Sequence, residues 1–178
     1  MDLGRVHVGG VFTEAVVGVR NVVVADEYSE KLNARFGAVS GDVVAGSGSI
    51  AGLVGGGVDE SALRVGLGGT GVAGPKSGTV QVAFETDGTG TSGLGLLSVG
   101  SGTVSVSGNV YTGQGQWKGG SGKWSEIGKW RYEAGHYGGR PGMDGVLSAG
   151  VDSALFVGGS EAVSQVELEG VAVELKSV

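Results

Sequence analysis

Cysteine is absent from the 178-residue chain, which removes disulfide scaffolds, thiolate metal sites and thiol nucleophiles together. Proline occurs only twice, and with the recurrent valine patterns this argues against a disordered glycine-rich linker. Basic residues number 12 against 18 acidic ones, for a net charge of -6, and they are scattered. Recognition of a phosphate backbone needs clustered Lys and Arg, so nucleic-acid binding is excluded. No apolar run approaches the roughly 20 residues of a membrane helix. Met1-Asp2-Leu3-Gly4-Arg5 also lacks the basic region and apolar stretch of a signal peptide, so an exported protein would carry this chain as a processed or excised piece.

Glycine is what the chain has in excess: its 40 residues are about three times the usual share. They follow no three-residue period, which excludes collagen, and they punctuate short apolar runs as tight turns between strands do. Between Gly74-Pro75-Lys76-Ser77-Gly78 and Asp87-Gly88, the residues Val80, Val82 and Phe84 alternate with Thr79, Gln81 and Glu85. That is the period of a half-buried antiparallel strand closed by a turn at each end. Gly102 to Tyr111 repeats the pattern, with Val104, Val106 and Val110 facing in and serines facing out.

The preceding sequence reads the same way. Val6, Val8 and Phe12 line a strand interrupted at Gly9-Gly10, and the β-branched run from Ala15 to Val24 predicts one long interior strand. Tyr28, Leu32 and Phe36 have helical spacing, yet Leu32, Ala34 and Phe36 also suit a strand, and a turn followed by an extended strand is expected there. Leu63, Val65 and Leu67 alternate with Arg64 and Gly66 in a further strand. From Val6 to Tyr111 this gives about seven or eight short strands with turn residues every 8 to 12 positions, the rhythm of a β-sandwich.

After Tyr111 the character changes. A polar linker, Thr112-Gly113-Gln114-Gly115-Gln116, precedes a span that holds all three tryptophans, Trp117, Trp124 and Trp130, with Tyr132 and Tyr137 just beyond. Arg140-Pro141-Gly142 then turns the chain toward a strand at 153–157 and two more between Val163 and Val178, separated by Glu169-Gly170. A boundary near residue 112 is expected, dividing residues 1–111 from a smaller β-rich extension over 112–178 that is too small for a strong core alone.

Val19-Arg20-Asn21 through Ala34, the Pro75 to Val80 strand, Thr86-Asp87-Gly88-Thr89-Gly90-Thr91-Ser92-Gly93 and Val104 to Tyr111 together resemble the immunoglobulin-like choice-of-anchor D module of large exported bacterial proteins. Trp117, Gly122-Lys123-Trp124, Trp130, Pro141-Gly142 and Asp152-Ser153-Ala154-Leu155-Phe156 resemble the segment that precedes a β-solenoid in autotransporter-associated passenger proteins. The first likeness covers residues 5 to 111 and the second 114 to 178. Together they imply an all-β chain: an immunoglobulin-like antiparallel sandwich followed by the start of a solenoid. They also imply an extracellular or cell-surface location, no catalysis, and a larger surface polypeptide or another surface protein as partner.

Candidate sites are few. His7 and His136 lie outside any ligand spacing, and each is expected in a surface or turn role. Gly46-Ser47-Gly48-Ser49 and Gly100-Ser101-Gly102 are Gly/Ser loops without the setting of a nucleophile elbow. Gly66-Leu67-Gly68-Gly69-Thr70-Gly71 mimics a dinucleotide fingerprint, but Gly74-Pro75 follows where a helix should begin. In Gly119-Gly120-Ser121-Gly122-Lys123, Trp124 stands where a phosphate loop needs a hydroxyl residue. Asp26, Glu27 and Glu30, with Asp87 nearby in a turn, could offer oxygen ligands to calcium, although the plainer reading is a solvated acidic edge. Glu14 and Glu85 could be paired as glycosidase carboxylates only arbitrarily.

No cofactor, metal or catalytic residue is therefore expected. The strongest signal is the cluster of Trp117, Trp124, Trp130, Tyr132 and Tyr137, which serves either interdomain packing or ligand binding. The leading expectation is a noncatalytic structural or adhesive module. A carbohydrate-binding module using those rings is the alternative, and an enzyme with an unrecognised carboxylate site the second. The structural module predicts buried rings; the carbohydrate-binding module predicts rings exposed in one plane along a groove.

Overall fold

In chain order the strands are β1 (Asp2–His7), β2 (Ala15–Val16), β3 (Val19–Arg20), β4 (Lys31–Gly41), β5 (Val43–Ala45), β6 (Ser49–Leu53), β7 (Val58–Asp59), β8 (Arg64–Leu67), β9 (Gly74–Asp87), β10 (Leu96–Tyr111), β11 (Gln114–Trp117), β12 (Gly122–Lys123), β13 (Trp130–Arg131), β14 (Ser153–Phe156) and β15 (Val166–Glu167). This is the computed structural model of the chain, and it describes residues 1–131, 140–142, 152–156 and 165–170. Its one helical element there is a 3-10 turn at Ile127–Lys129, so the chain is all-β as its alternating patterns predict. No helix among the described residues is long and apolar enough to cross a membrane.

The strands form a five-stranded sheet in the order β1-β10-β9-β4-β6, two three-stranded sheets, β2-β8-β5 and β13-β11-β14, and two-stranded pairs β3-β7 and β12-β15. The two alternating stretches picked out in the sequence become β9 and β10, the two longest strands. Val80 and Val82 of β9 are buried while Gln81 between them is exposed, and Val106 of β10 is buried between exposed Ser105 and Ser107. Each valine withdrawn from water contributes about 1.5–3 kcal/mol. β9 runs antiparallel to β4 from Lys31 opposite Asp87 to Gly41 opposite Gly78, with a bulge between Phe36 and Val39.

The chain divides into two compact units. The first is Met1–Gly4, Val11–Gly69 and Pro75–Gly108; the second is Arg5–Gly10, Thr70–Gly74 and Asn109–Val178. In the first, Val19, Ile50, Leu63, Val65, Val80 and Val82 are among the buried apolar side chains. A methyl group on Gly108 of β10 would press into the Phe12 ring at 2.6 Å and against Leu67 of β8 at 3.0 Å. Only a glycine lets those two side chains approach the strand so closely. In the second unit the buried residues include Val110, Tyr111 and the three tryptophans.

The valine-rich run from Ala15 to Val24 is not one interior strand. It contributes only the two-residue β2 and β3, and Val22 and Val24 are 84% and 73% exposed. Asn21 is the cause. Its backbone N–H donates to the Gly57 carbonyl at 3.0 Å, and its buried side chain donates to the carbonyls of Leu53 at 2.9 Å and Glu30 at 3.3 Å. Those bonds end the pairing with β7 at Asn21 and leave the next three valines to a surface turn. Lys31 to Gly41 follows the extended alternative rather than the helical one.

Candidate functional site

β11 supplies the base of the aromatic cluster. Its alternation buries Gly115 and Trp117 and leaves Gln114 exposed. Antiparallel pairing with β13 sets Trp117 opposite Trp130, and parallel pairing with β14 sets Trp117 opposite Phe156. Trp130 stands between the other two indoles. Its ring lies 5.2 Å from Trp117 at 85° and 4.8 Å from Trp124 at 75°, both edge-to-face, an arrangement the ring quadrupole favours. Ala154 and Val166 pack against the cluster, and the three tryptophans are only 1–2% exposed.

Burying an indole N–H without an acceptor would be costly, and each has one. Trp117 Nε1 donates to the Gly120 carbonyl at 3.1 Å, Trp124 Nε1 to that of Pro141 at 3.0 Å, and Trp130 Nε1 to that of Trp124 at 3.0 Å. The rings are thus mutually tilted and closed off rather than lying in one plane along a groove. Beside them, Lys118, Gly119, Glu126, Ile127, Gly128 and Lys129 line an open depression. The Lys129 ammonium sits 6.0 Å from the Trp117 ring centre. Tyr132, Tyr137 and His136 lie outside the described residues.

The second constellation is one that the sequence did not suggest. His7 has no surface or turn role; it is buried at the end of β1. Its Nε2 lies 2.7 Å from Oδ1 of Asp152, and its Nδ1 lies 3.0 Å from the Val8 carbonyl. Asp152 also accepts the Gly142 N–H through Oδ2 at 3.1 Å, and the edge of the His7 ring meets Tyr111 at 5.2 Å. With an oxygen at each ring nitrogen, the doubly protonated imidazolium is the form that satisfies both. Burial weighs most and opposes that charge, but the Val8 carbonyl, the Asp152 carboxylate and the Thr112 carbonyl together outweigh it. His7 consequently titrates above its ordinary 6.5.

Of the carboxylates named as calcium ligands, Asp26, Glu30 and Asp87 each accept hydrogen bonds within the protein. Asp26 accepts the N–H groups of Tyr28 at 3.0 Å and Ser29 at 2.7 Å. Glu30 accepts the Ser92 hydroxyl at 2.6 Å, and Asp87 accepts both the hydroxyl and the N–H of Thr89. Hydrogen bonds from Ser29, Ser92 and Thr89 respectively hold the three groups below the usual carboxylate range. Among the described residues, no three His, Asp or Glu side chains form a metal-binding group. Glu85 is taken by Arg35, 3.0 Å away on a wet sheet face. The glycines after β8 lead through a turn into another strand, so no helix N-terminus meets them.

No family model matches the chain, and neither a curated protein nor a solved structure matches it significantly.

Proposed function

We propose that this chain is a noncatalytic structural module of a secreted or cell-surface bacterial protein, an immunoglobulin-like sandwich leading into the first coils of a β-solenoid. The observation that carries this reading is the pairing in the second unit. β11 lies parallel to β14, with Gln114 opposite Ser153, and β12 lies parallel to β15, with Gly122 opposite Val166. Two successive strands therefore pair in the same order with two strands about 40 residues later, a spacing within the 20–45 residues of stacked-repeat architectures. Neighbouring coils of a solenoid stack in this way.

Three further features support the reading. The approach of Phe12 and Leu67 to Gly108 suits two sheets packed face to face. Buried, tilted indoles with satisfied N–H groups fill a core; a sugar platform needs open faces. In the His7 pair each ring nitrogen already faces an oxygen, leaving no lone pair for general-base work. The partner in this reading is the adjoining part of a larger surface polypeptide or another surface protein.

The cysteine-free chain makes the pairing directly testable. Strands pair about 4.7–4.9 Å apart, within disulfide reach, so Gln114→Cys with Ser153→Cys should close a bridge under oxidation while Gln114→Cys with Phe156→Cys should not. The reverse preference would remove the solenoid. Binding of the intact protein to a glycan panel, with a shift in tryptophan emission, would replace the structural reading with the carbohydrate one.

A further inference from the structure

The five-stranded sheet has two very different edges. At one, β6 is five residues long and its pairing with β4 shifts register between Leu32 and Ala34. Short length and a bulge are standard ways of making an edge unattractive to another strand. At the other edge β1 covers only part of β10. The Met1 amino group donates to the Ser105 carbonyl at 2.8 Å, and the Ser107 N–H donates to the Met1 carbonyl at 2.9 Å. No described strand flanks β10 from Leu96 to Val104 on the side away from β9.

Among the described residues that stretch of edge is unpaired, and it carries apolar side chains. Leu96, Leu97 and Val99 are 62%, 63% and 52% exposed, so side chains on both faces of the strand stand in water. Proteins that keep such an edge solitary place lysine, proline or an inward-pointing charge on it. From Gly88 to Trp117 this chain has no charged residue and no proline. In a protein of net charge -6, that is a gap in the field that would otherwise keep two copies apart.

We propose that the Leu96–Val104 edge of β10 is an interaction surface for a second copy of this chain, the two edges pairing antiparallel about a two-fold axis. A charge-free strand offers nothing to select a charged partner and nothing to repel itself. Two-fold pairing is also self-complementary by construction. With the axis at Gly100, Leu96 of each copy comes opposite Val104 of the other, and Leu97 opposite Thr103. The exposed leucines are thereby covered and the outward N–H and C=O groups bonded.

Sedimentation equilibrium of the full chain between about 1 µM and 1 mM tests this, a range that spans weak to moderate protein affinities. The average mass should rise from 17.5 kDa toward twice that value. Leu97→Lys and Val99→Lys, at exposed sites where folding is not at stake, should each weaken association about tenfold or more by setting a charge on the edge. Val54→Lys, an exposed valine off this strand, should dimerise like the parent. A parent that stays monomeric at 1 mM overturns the proposal. So does a dimer indifferent to both β10 lysines, or one that Val54→Lys disrupts equally.

Discussion

Nε2 of His7 and Oδ1 of Asp152 meet at 2.7 Å, with side-chain exposures of 7% and 4%, so two residues from distant parts of the sequence form a charge pair shut off from water. The folded state raises the His7 pKa, so the stability it contributes is complete below the unfolded value of 6.5 and is lost as pH rises through the folded value. The melting temperature should therefore fall as pH rises from 6.5 through the folded value. Asp152→Asn should flatten or reverse that slope, because burial alone favours the neutral ring. Removing the partner outright, as Asp152→Ala, leaves the buried His7 Nε2 and the Gly142 N–H without their acceptor and should cost about 1–3 kcal/mol. A parent protein with no slope over this range would show that His7 folds as the neutral imidazole.

Gly113 is the spacer that makes the pair fit. It adopts φ +68°, and a methyl group placed on it would overlap Asp152 Oδ1 and come within 2.8 Å of His7 Nε2. Gly113→Ala should therefore carry both the left-handed penalty of about 1–2 kcal/mol and the displacement of the pair. We expect at least 3 kcal/mol in chemical denaturation, together with loss of the His7 pH slope. Gly71→Ala, where a methyl meets open space, is the control and should leave the slope intact.

How much of this was legible in the sequence depends on whether the signal was local. Val80, Val82 and Val106 announced their buried faces through a two-residue period, because strand alternation is written within a few neighbours. The run from Ala15 to Val24 misled for the same reason. β-propensity favoured a long strand, whereas the side chain of Asn21, bonded to Leu53 and Glu30, fixed a turn through contacts that no local pattern records. The tryptophans were conspicuous by composition, but their tilt and burial come from the pairing of β11 with β13 and β14. His7 and Asp152 gave no signal at all: a lone His in a strand and a lone Asp just before another strand carry no spacing motif, and only the fold brings them together.

Asn21 offers a direct test of that tertiary override. Its side chain is buried and donates to two carbonyls from different strands or turns. Asn21→Ala should destabilise by about 1–3 kcal/mol, because both acceptors stay behind without their donor. Limited proteolysis should at the same time become faster within residues 22–29, the turn that those bonds close. If Asn21→Val instead matched the parent in both stability and protease resistance, the valine pattern would be sufficient and the side-chain bonds would not be what ends the strand.

The acidic turns make an opposite kind of prediction. Asp26, Glu30 and Asp87 each accept bonds from nearby hydroxyl or N–H groups, so one oxygen of each is engaged within the protein. Millimolar calcium, or a chelator in its place, should shift the melting temperature by less than about 1 °C, since a ligand stabilises only through preferential binding to the folded state. Their lowered pKa values give stability that is present above the unfolded values of 3.8 and 4.5 and is lost as pH falls through the folded ones. A calcium-dependent rise of several degrees would restore these carboxylates as a cation site.

Trp130 should be the most sensitive of the three tryptophans, because its ring alone touches both other indoles and its N–H caps the Trp124 carbonyl. Trp124→Ala and Trp130→Ala should each cost about 3–5 kcal/mol in chemical denaturation, the range for emptying a buried aromatic site. That is a large share of the roughly 5–15 kcal/mol that keeps a domain folded. Trp130→Phe keeps most of the ring but strands the Trp124 carbonyl, and an intermediate loss of about 1–3 kcal/mol is expected. The double variant Trp124→Ala with Trp130→Ala should fall short of the sum, since the two rings are in contact and the second truncation removes an edge-to-face pair already lost. If both single variants stayed within about 0.5 kcal/mol of the parent, as substitutions at unburied positions do, while binding to a glycan panel disappeared, the rings would be acting on a ligand and not on the core.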